Sequence, residues 1–184
     1  MAYEEREIFR EGTLTTDFYQ RALERTKKYR EDYKKRRNVV HPEEMPWEDC
    51  PQGRLKHLVN ESINTVECAL DLYIQEILPG SRSGKHRHMA EEVFFVLEGK
   101  GYDLHWDAFY TLSDKYYWDW EKEPKKFEWE EGDFVYIPPY TMHQHFNLDP
   151  LRPLRFVSAT SRLVKALGFD VLEQVENAPE YKGK

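Results

Sequence analysis

The chain has 184 residues, enough for one domain with a core of ordinary size. Apolar residues make up 40% and aromatic ones 15%, so rings will supply much of that core. The net charge of −7 disfavours nucleic acid and anionic membranes as partners, and no run of apolar residues is long enough to predict a membrane span.

The N-terminus, Met1-Ala2-Tyr3-Glu4-Glu5-Arg6, lacks the basic-then-apolar order of a signal peptide. The two cysteines, Cys50 and Cys68, make neither a disulfide framework nor a Cys-x-x-Cys site. Both features fit a cytoplasmic protein with reduced thiols.

Residues 14 to 37 read as one helix. Thr15 or Thr16 can cap it, with Asp17 near the positive end of its dipole. Tyr19, Ala22, Leu23, Thr26 and Tyr33 recur at helical spacing. Asp17/Arg21, Glu24/Lys28, Glu31/Lys35 and Asp32/Arg36 are opposite charges one turn apart. Arg21 to Arg37 is basic inside an acidic chain. That reads as a solvated face, with a docking surface for an acidic partner as the functional alternative.

His41-Pro42 ends the helix. Residues 42 to 54 hold three prolines and Gly53, which predicts an irregular connection. From Leu55 the pattern turns to strands. Val66, Cys68, Leu70, Leu72 and Ile74 alternate with more polar neighbours until Pro79-Gly80. Residues 92 to 98 form another strand, Gly99-Lys100-Gly101 a tight turn, and 102 to 106 the return. Residues 107 to 131 are rich in Tyr and Trp, with a hairpin turn expected near Pro124. Strands follow at 133 to 137, at 142 to 147 beyond Pro138-Pro139, and at 154 to 160. A short helix from Ser161 to Leu167 stops at Gly168, and a loose tail ends the chain. Many short strands with Gly/Pro turns predict an all-β domain of closed or double-sheet form. The expected division is a helix and arm over 1–54, a barrel over 55–160, and a helix and tail over 161–184.

The chemistry gathers in two segments. His86 and His88 are two apart, so an extended chain turns both to one face. Glu92, an even step further, turns the same way. His143-Gln144-His145-Phe146-Asn147 again alternates polar side chains. Four of the seven histidines fall in these segments. Imidazoles and a carboxylate converging inside a barrel are costly unless something compensates them, and a divalent metal does so.

Gly80, five residues, His86-x-His88, three residues, Glu92, six residues and Gly99 resemble the first motif of the cupin family. Gly132, five residues, Pro138, four residues, His143, three residues and Asn147 resemble the second. The chain departs from that pattern at Tyr140, where cupins usually have glycine at a turn. The resemblance spans Gly80 to Asn147, and the flanking strands extend it to about 55–160. It implies an all-β, jelly-roll cupin barrel with an N-terminal helix and a short C-terminal helix. It also implies one metal ion held by His86, His88, Glu92 and His143, with Fe(II) expected and Mn, Ni, Co or Zn as alternatives.

Other residues are weighed against structural roles. His145 shares the parity of His143 and is a candidate acid/base, or else part of the wall. Arg155 could clamp a substrate carboxylate or serve a salt bridge. Trp106 is a candidate substrate contact, beside a packed His105. Asn147 could support the ligands or pin a turn. Tyr73 and Gln75 could line the cavity. Tyr116, Tyr117, Trp118, Trp120, Phe127 and Trp129 could form a lid, or a hairpin packed over the barrel. The context around the first motif resembles gentisate-type dioxygenases. That implies Fe(II)-dependent dioxygenation of a small hydroxylated aromatic. A Lewis-acid isomerase or lyase and a non-catalytic ligand-binding module are the alternatives. Small cupins commonly pair, so a homodimer is expected, with a small-molecule substrate as the other partner.

Overall fold

The computed structural model describes residues 16–60, 63, 69–169 and 171–183. Thr15 and Cys68 lie outside them, as does the first part of the strand expected from Val66. The chain divides into two units, residues 1–36 and 37–184.

In the first unit, α1 spans Phe18–Tyr33. Its N-cap is Asp17, which makes no side-chain cap bond, so the threonine cap is not used. Asp17 instead pairs with Arg21 at 2.7 Å. No residue of α1 is buried.

Among the described residues, the second unit is built from thirteen strands. They are β1 (Trp47–Cys50), β2 (Gly53–Val59), β3 (Leu70–Ile77), β4 (Lys85–His88), β5 (Glu92–Glu98), β6 (Lys100–Trp106) and β7 (Ala108–Leu112). β8 (Tyr116–Trp120), β9 (Lys125–Glu130), β10 (Phe134–Ile137), β11 (Met142–Asn147), β12 (Leu154–Ser161) and β13 (Leu172–Glu176) complete the set. One sheet runs β1-β2-β3-β12-β5-β10 and the other β13-β4-β11-β6-β9. All described pairings in them are antiparallel. β7 and β8 form a separate hairpin. The short helix α2 (Leu163–Ala166) follows β12.

Alternation along the strands fills the interior, and its character changes along the barrel. Ile77, Phe94, Val96, Trp129, Ile137, Leu154 and Phe156 form an apolar cluster toward one end. Each buried ring or branched chain there contributes about 1.5–3 kcal/mol by leaving water. The same strands continue inward with polar groups: Tyr73 on β3, Glu92 on β5 and Ser158 on β12, all buried. The apolar end anchors the strands whose other ends carry the polar cluster. Gly101 marks a tight approach, since a Cβ there would lie 2.3 Å from the Phe146 carbonyl oxygen.

Four expectations are corrected. Residues 47–54 are not irregular, because β1 and β2 form a hairpin turning at Pro51-Gln52 and joined to β3. The tail is not loose, because β13 pairs with β4 and Ala178 is buried. The aromatic hairpin turns at residues 113–115, and Pro124 lies between β8 and β9. The turn after β5 is Gly99 alone, at φ 93°, and Lys100 already belongs to β6.

Candidate metal centre

β4 places His86 and His88 on the inner face, β5 opens with Glu92, and β11 brings His143 directly opposite His86. One donor atom from each lies within 4.8 Å of all the others. His88 Nε2 is 2.9 Å and His143 Nε2 3.6 Å from Glu92 Oε2. His86, Glu92 and His143 are fully buried, and His88 is 9% exposed.

The backbone fixes which nitrogen faces inward. His86 Nδ1 lies 3.3 Å from the Gly84 carbonyl, His88 Nδ1 2.8 Å from that of Ala90, and His143 Nδ1 2.9 Å from that of Thr141. A carbonyl only accepts, so each Nδ1 carries the proton and donates it. Each Nε2 lone pair is thereby turned to the interior. Burial, with like charges nearby, holds His86 well below the usual imidazole range. Burial likewise lowers His143. Both rings are neutral at pH 7, the form that binds metal.

Glu92 is the matching anion. Burial pushes its carboxyl up, but the nearby His143 and His88 rings outweigh it and hold the group well below its usual range. Tyr73 Oη donates to its other oxygen at 3.2 Å, and Ser158 Oγ donates there too. Burial and Glu92 hold the Tyr73 hydroxyl far above its usual range, so it remains a donor.

This arrangement fits a metal ion. His143 Nε2 is buried with no hydrogen-bond partner, a costly state for a lone pair that an ion would satisfy. Donors sharing one ion at about 2.1 Å lie no more than about 4.2 Å apart, so the cluster closes on an ion with small shifts. Three imidazoles and one carboxylate suit a divalent first-row metal.

His145 differs from its neighbours. Its ring lies 5.4 Å from that of His143 and packs between Phe94 and Phe156. Its Nδ1 meets Asp103 Oδ1 at 2.8 Å rather than a carbonyl. Burial opposes its charged form, but Asp103 outweighs that and raises its pKa. A ring that favours protonation is a poor ligand. Its Nε2 is buried and unpartnered. Asp103 also receives His105 at 3.3 Å, which explains why that histidine packs on the wall.

Two candidate substrate residues face the wrong way. Inward positions on β12 are Leu154, Phe156 and Ser158, so Arg155 projects outward. There it is tied to Glu76 at 2.6 Å and also to Glu98, the salt-bridge role. Inward positions on β6 are Gly101, Asp103 and His105, so Trp106 projects outward under Lys85 Nζ at 3.9 Å. Asn147 pins a turn: its amide donates to the carbonyls of Ile77, Leu78 and Arg152. Of the proposed lid, Trp129 is core and Trp120 packs under Arg87, while Tyr116, Tyr117, Trp118 and Phe127 are exposed.

Gln52 is a site residue with no sequence signal. It sits on the β1–β2 turn, and its side-chain amide contacts His86 Nε2. The main chain there is fixed, because the Gly84 N–H and Gln75 Nε2 both donate to the Gln52 carbonyl. Gln52, Tyr73 and His88 border a cavity of about 400 Å³.

Residues 73–160 match the family model described as the cupin domain. The auxin-binding protein T85 of Nicotiana tabacum is 26% identical over 141 residues, covering 76% of this chain and 72% of that one. An uncharacterised protein of Methanocaldococcus jannaschii is 34% identical over 76 residues, covering 40% of this chain and 47% of its own. Among solved structures, Lactobacillus farciminis oxalate decarboxylase aligns with a TM-score of 0.54 at 16% identity over 76% of this chain. Corylus avellana vicilin aligns with a TM-score of 0.50 at 20% identity over 66% of this chain. This chain spans 34% and 32% of those two. The double sheet, the four converging donors and the matched domain agree, and residues 73–160 form a cupin domain.

Proposed function

We propose that this protein is a metal-dependent dioxygenase acting on a small hydroxylated aromatic compound, with Fe(II) as its ion. The observation that carries the reading is the buried three-histidine, one-glutamate cluster, which meets a cavity at His88. His86, His88, Glu92 and His143 would hold the ion, and four protein donors would leave room on it for small molecules. When bound, the ion supplies electrons for O₂ reduction and a Lewis-acid site beside the substrate.

The chain's own residues set the geometry. Three Nδ1–carbonyl bonds hold the imidazole rings, and Tyr73 and Ser158 hold Glu92. Phe94 and Phe156 close the barrel behind the cluster and keep water from that side. His145, held by Asp103, turns Nε2 into the interior as the acid/base. A cavity of about 400 Å³ has room for a one-ring compound.

The test is metal analysis of protein purified without added metal, then an oxygen electrode with catechols, gentisates and salicylates. Substrate-dependent O₂ uptake is expected. No uptake at stoichiometric Fe(II) refutes the reading, and turnover with Zn or Mn under argon points instead to an isomerase or lyase. The auxin-binding relatives favour a second reading, a ligand-binding module without turnover. It predicts ligand-induced stabilisation and no product.

A further inference from the structure

The cavity beside the cluster carries a charge pattern that metal binding does not require. Tyr73 and His88 lie on its inner side. Farther from the cluster, it is bordered by Arg162 and Lys165 and by one carboxylate, Asp71. Two cations thus face one anion here, in a chain whose net charge is −7.

Arg162 is set for contact. It directly follows β12, and its N–H donates to the Ala69 carbonyl at 2.8 Å. Its side chain is only 20% exposed. One guanidinium nitrogen reaches Asp71 Oδ2 at 3.4 Å, its one polar side-chain partner among the described residues. A guanidinium carries five N–H donors in a planar fork, so most remain unused. Asp71 Oδ1 is itself buried without a partner, so the pair is not the closed, two-bond fork that an Arg–carboxylate pair readily forms. Asp71 orients Arg162 without saturating it. Lys165, three residues on, adds a second positive charge.

We infer that Arg162, supported by Lys165, selects a small organic anion, binding its carboxylate while an oxygen donor on the same molecule reaches the ion beside His88. This rests on the reading of the cavity as the substrate's place, and it narrows the substrate to a hydroxylated carboxylate. A neutral analogue leaves a partly desolvated guanidinium without its partner, which is how a polar site rejects it.

The full-length protein, loaded with zinc to avoid redox turnover, is titrated calorimetrically with 2-, 3- and 4-hydroxybenzoate and with the three matching hydroxybenzamides. At least one acid is expected to bind at least about tenfold tighter than its amide, the size of one charge-assisted hydrogen bond. Arg162→Gln is expected to remove that preference with zinc content unchanged. Lys165→Glu, at an exposed position, guards against misfolding of the first variant and is expected to weaken the acid while sparing the amide. Equal binding of acids and amides by zinc-loaded protein overturns this inference alone, as does a full preference retained in both variants. Failure to take up zinc or iron overturns the metal reading and this inference with it.

Discussion

Replacing Tyr140 by alanine and by glycine separates two opposing effects in the loop that leads to His143. Tyr140 has φ 62°, in the left-handed region. An L side chain there costs roughly 1–2 kcal/mol. Its ring meets Trp118 at 5.2 Å and Trp120 at 5.1 Å, both edge-on. Aromatic pairs contribute about 0.5–1.5 kcal/mol each beyond area burial, so the two contacts roughly offset the backbone cost. Tyr140→Ala loses the contacts and keeps the strain, and is expected to cost about 2 kcal/mol. Tyr140→Gly loses both, and is expected to be about 1 kcal/mol more stable than the alanine variant. Urea unfolding of the metal-free protein, with equal m-values, measures the difference. The loop is also tied by the Tyr140 N–H to the His88 carbonyl at 2.9 Å, and by Trp120 Nε1 to the Tyr140 carbonyl at 3.0 Å. Neither bond needs the tyrosine ring, so both variants should retain metal. An alanine variant as stable as the glycine one would refute the reasoning.

Alanine at His86 or His143 is expected to cost more metal affinity than the roughly 10–100-fold typical of outer-sphere partners; unchanged metal content by elemental analysis would disprove the ligand assignment. Asn147→Ala removes one partner from three carbonyls and from the Asp149 N–H, with the Leu78 carbonyl keeping the Ser81 N–H. A loss of about 2–4 kcal/mol in urea unfolding is expected, and a folded variant that instead lost metal would show a role toward the ligands. Acid should destabilise the metal-free protein. His86 and His143 are lowered by burial, so their contribution is present above the unfolded imidazole pKa of about 6.5 and is lost as pH falls below it toward the folded values. Unfolding midpoints that stay flat from pH 7 to 5 would contradict the buried, neutral rings.

Three of the four metal ligands were legible in the sequence because their spacing is a local matter, and His143 came from the resemblance to the second cupin motif. His86, His88 and Glu92 are even steps apart, and the period of an extended chain puts even steps on one face. The strands at 92–98 and 142–147 were legible for the same reason. Periodicity does not say which face is inside. Arg155 and Trp106 alternate with Ser158 and His105, and only the closed barrel assigns the latter pair inward. Nor does it find strands whose partners are distant. β13 was invisible until Gln174 stood beside His86 in the ladder, and β1–β2 was hidden by its prolines until β3 gave it an edge. The difference in role between His143 and His145 is also tertiary. Their parity is identical, but one Nδ1 meets the Thr141 carbonyl and the other meets Asp103, brought from β6. The sequence by itself determined that His86, His88 and Glu92 share a face, and its resemblance to the cupin motifs added His143. Long-range pairing decided which ring is held neutral, which favours its proton, and that Gln52 and Arg162 would border the site.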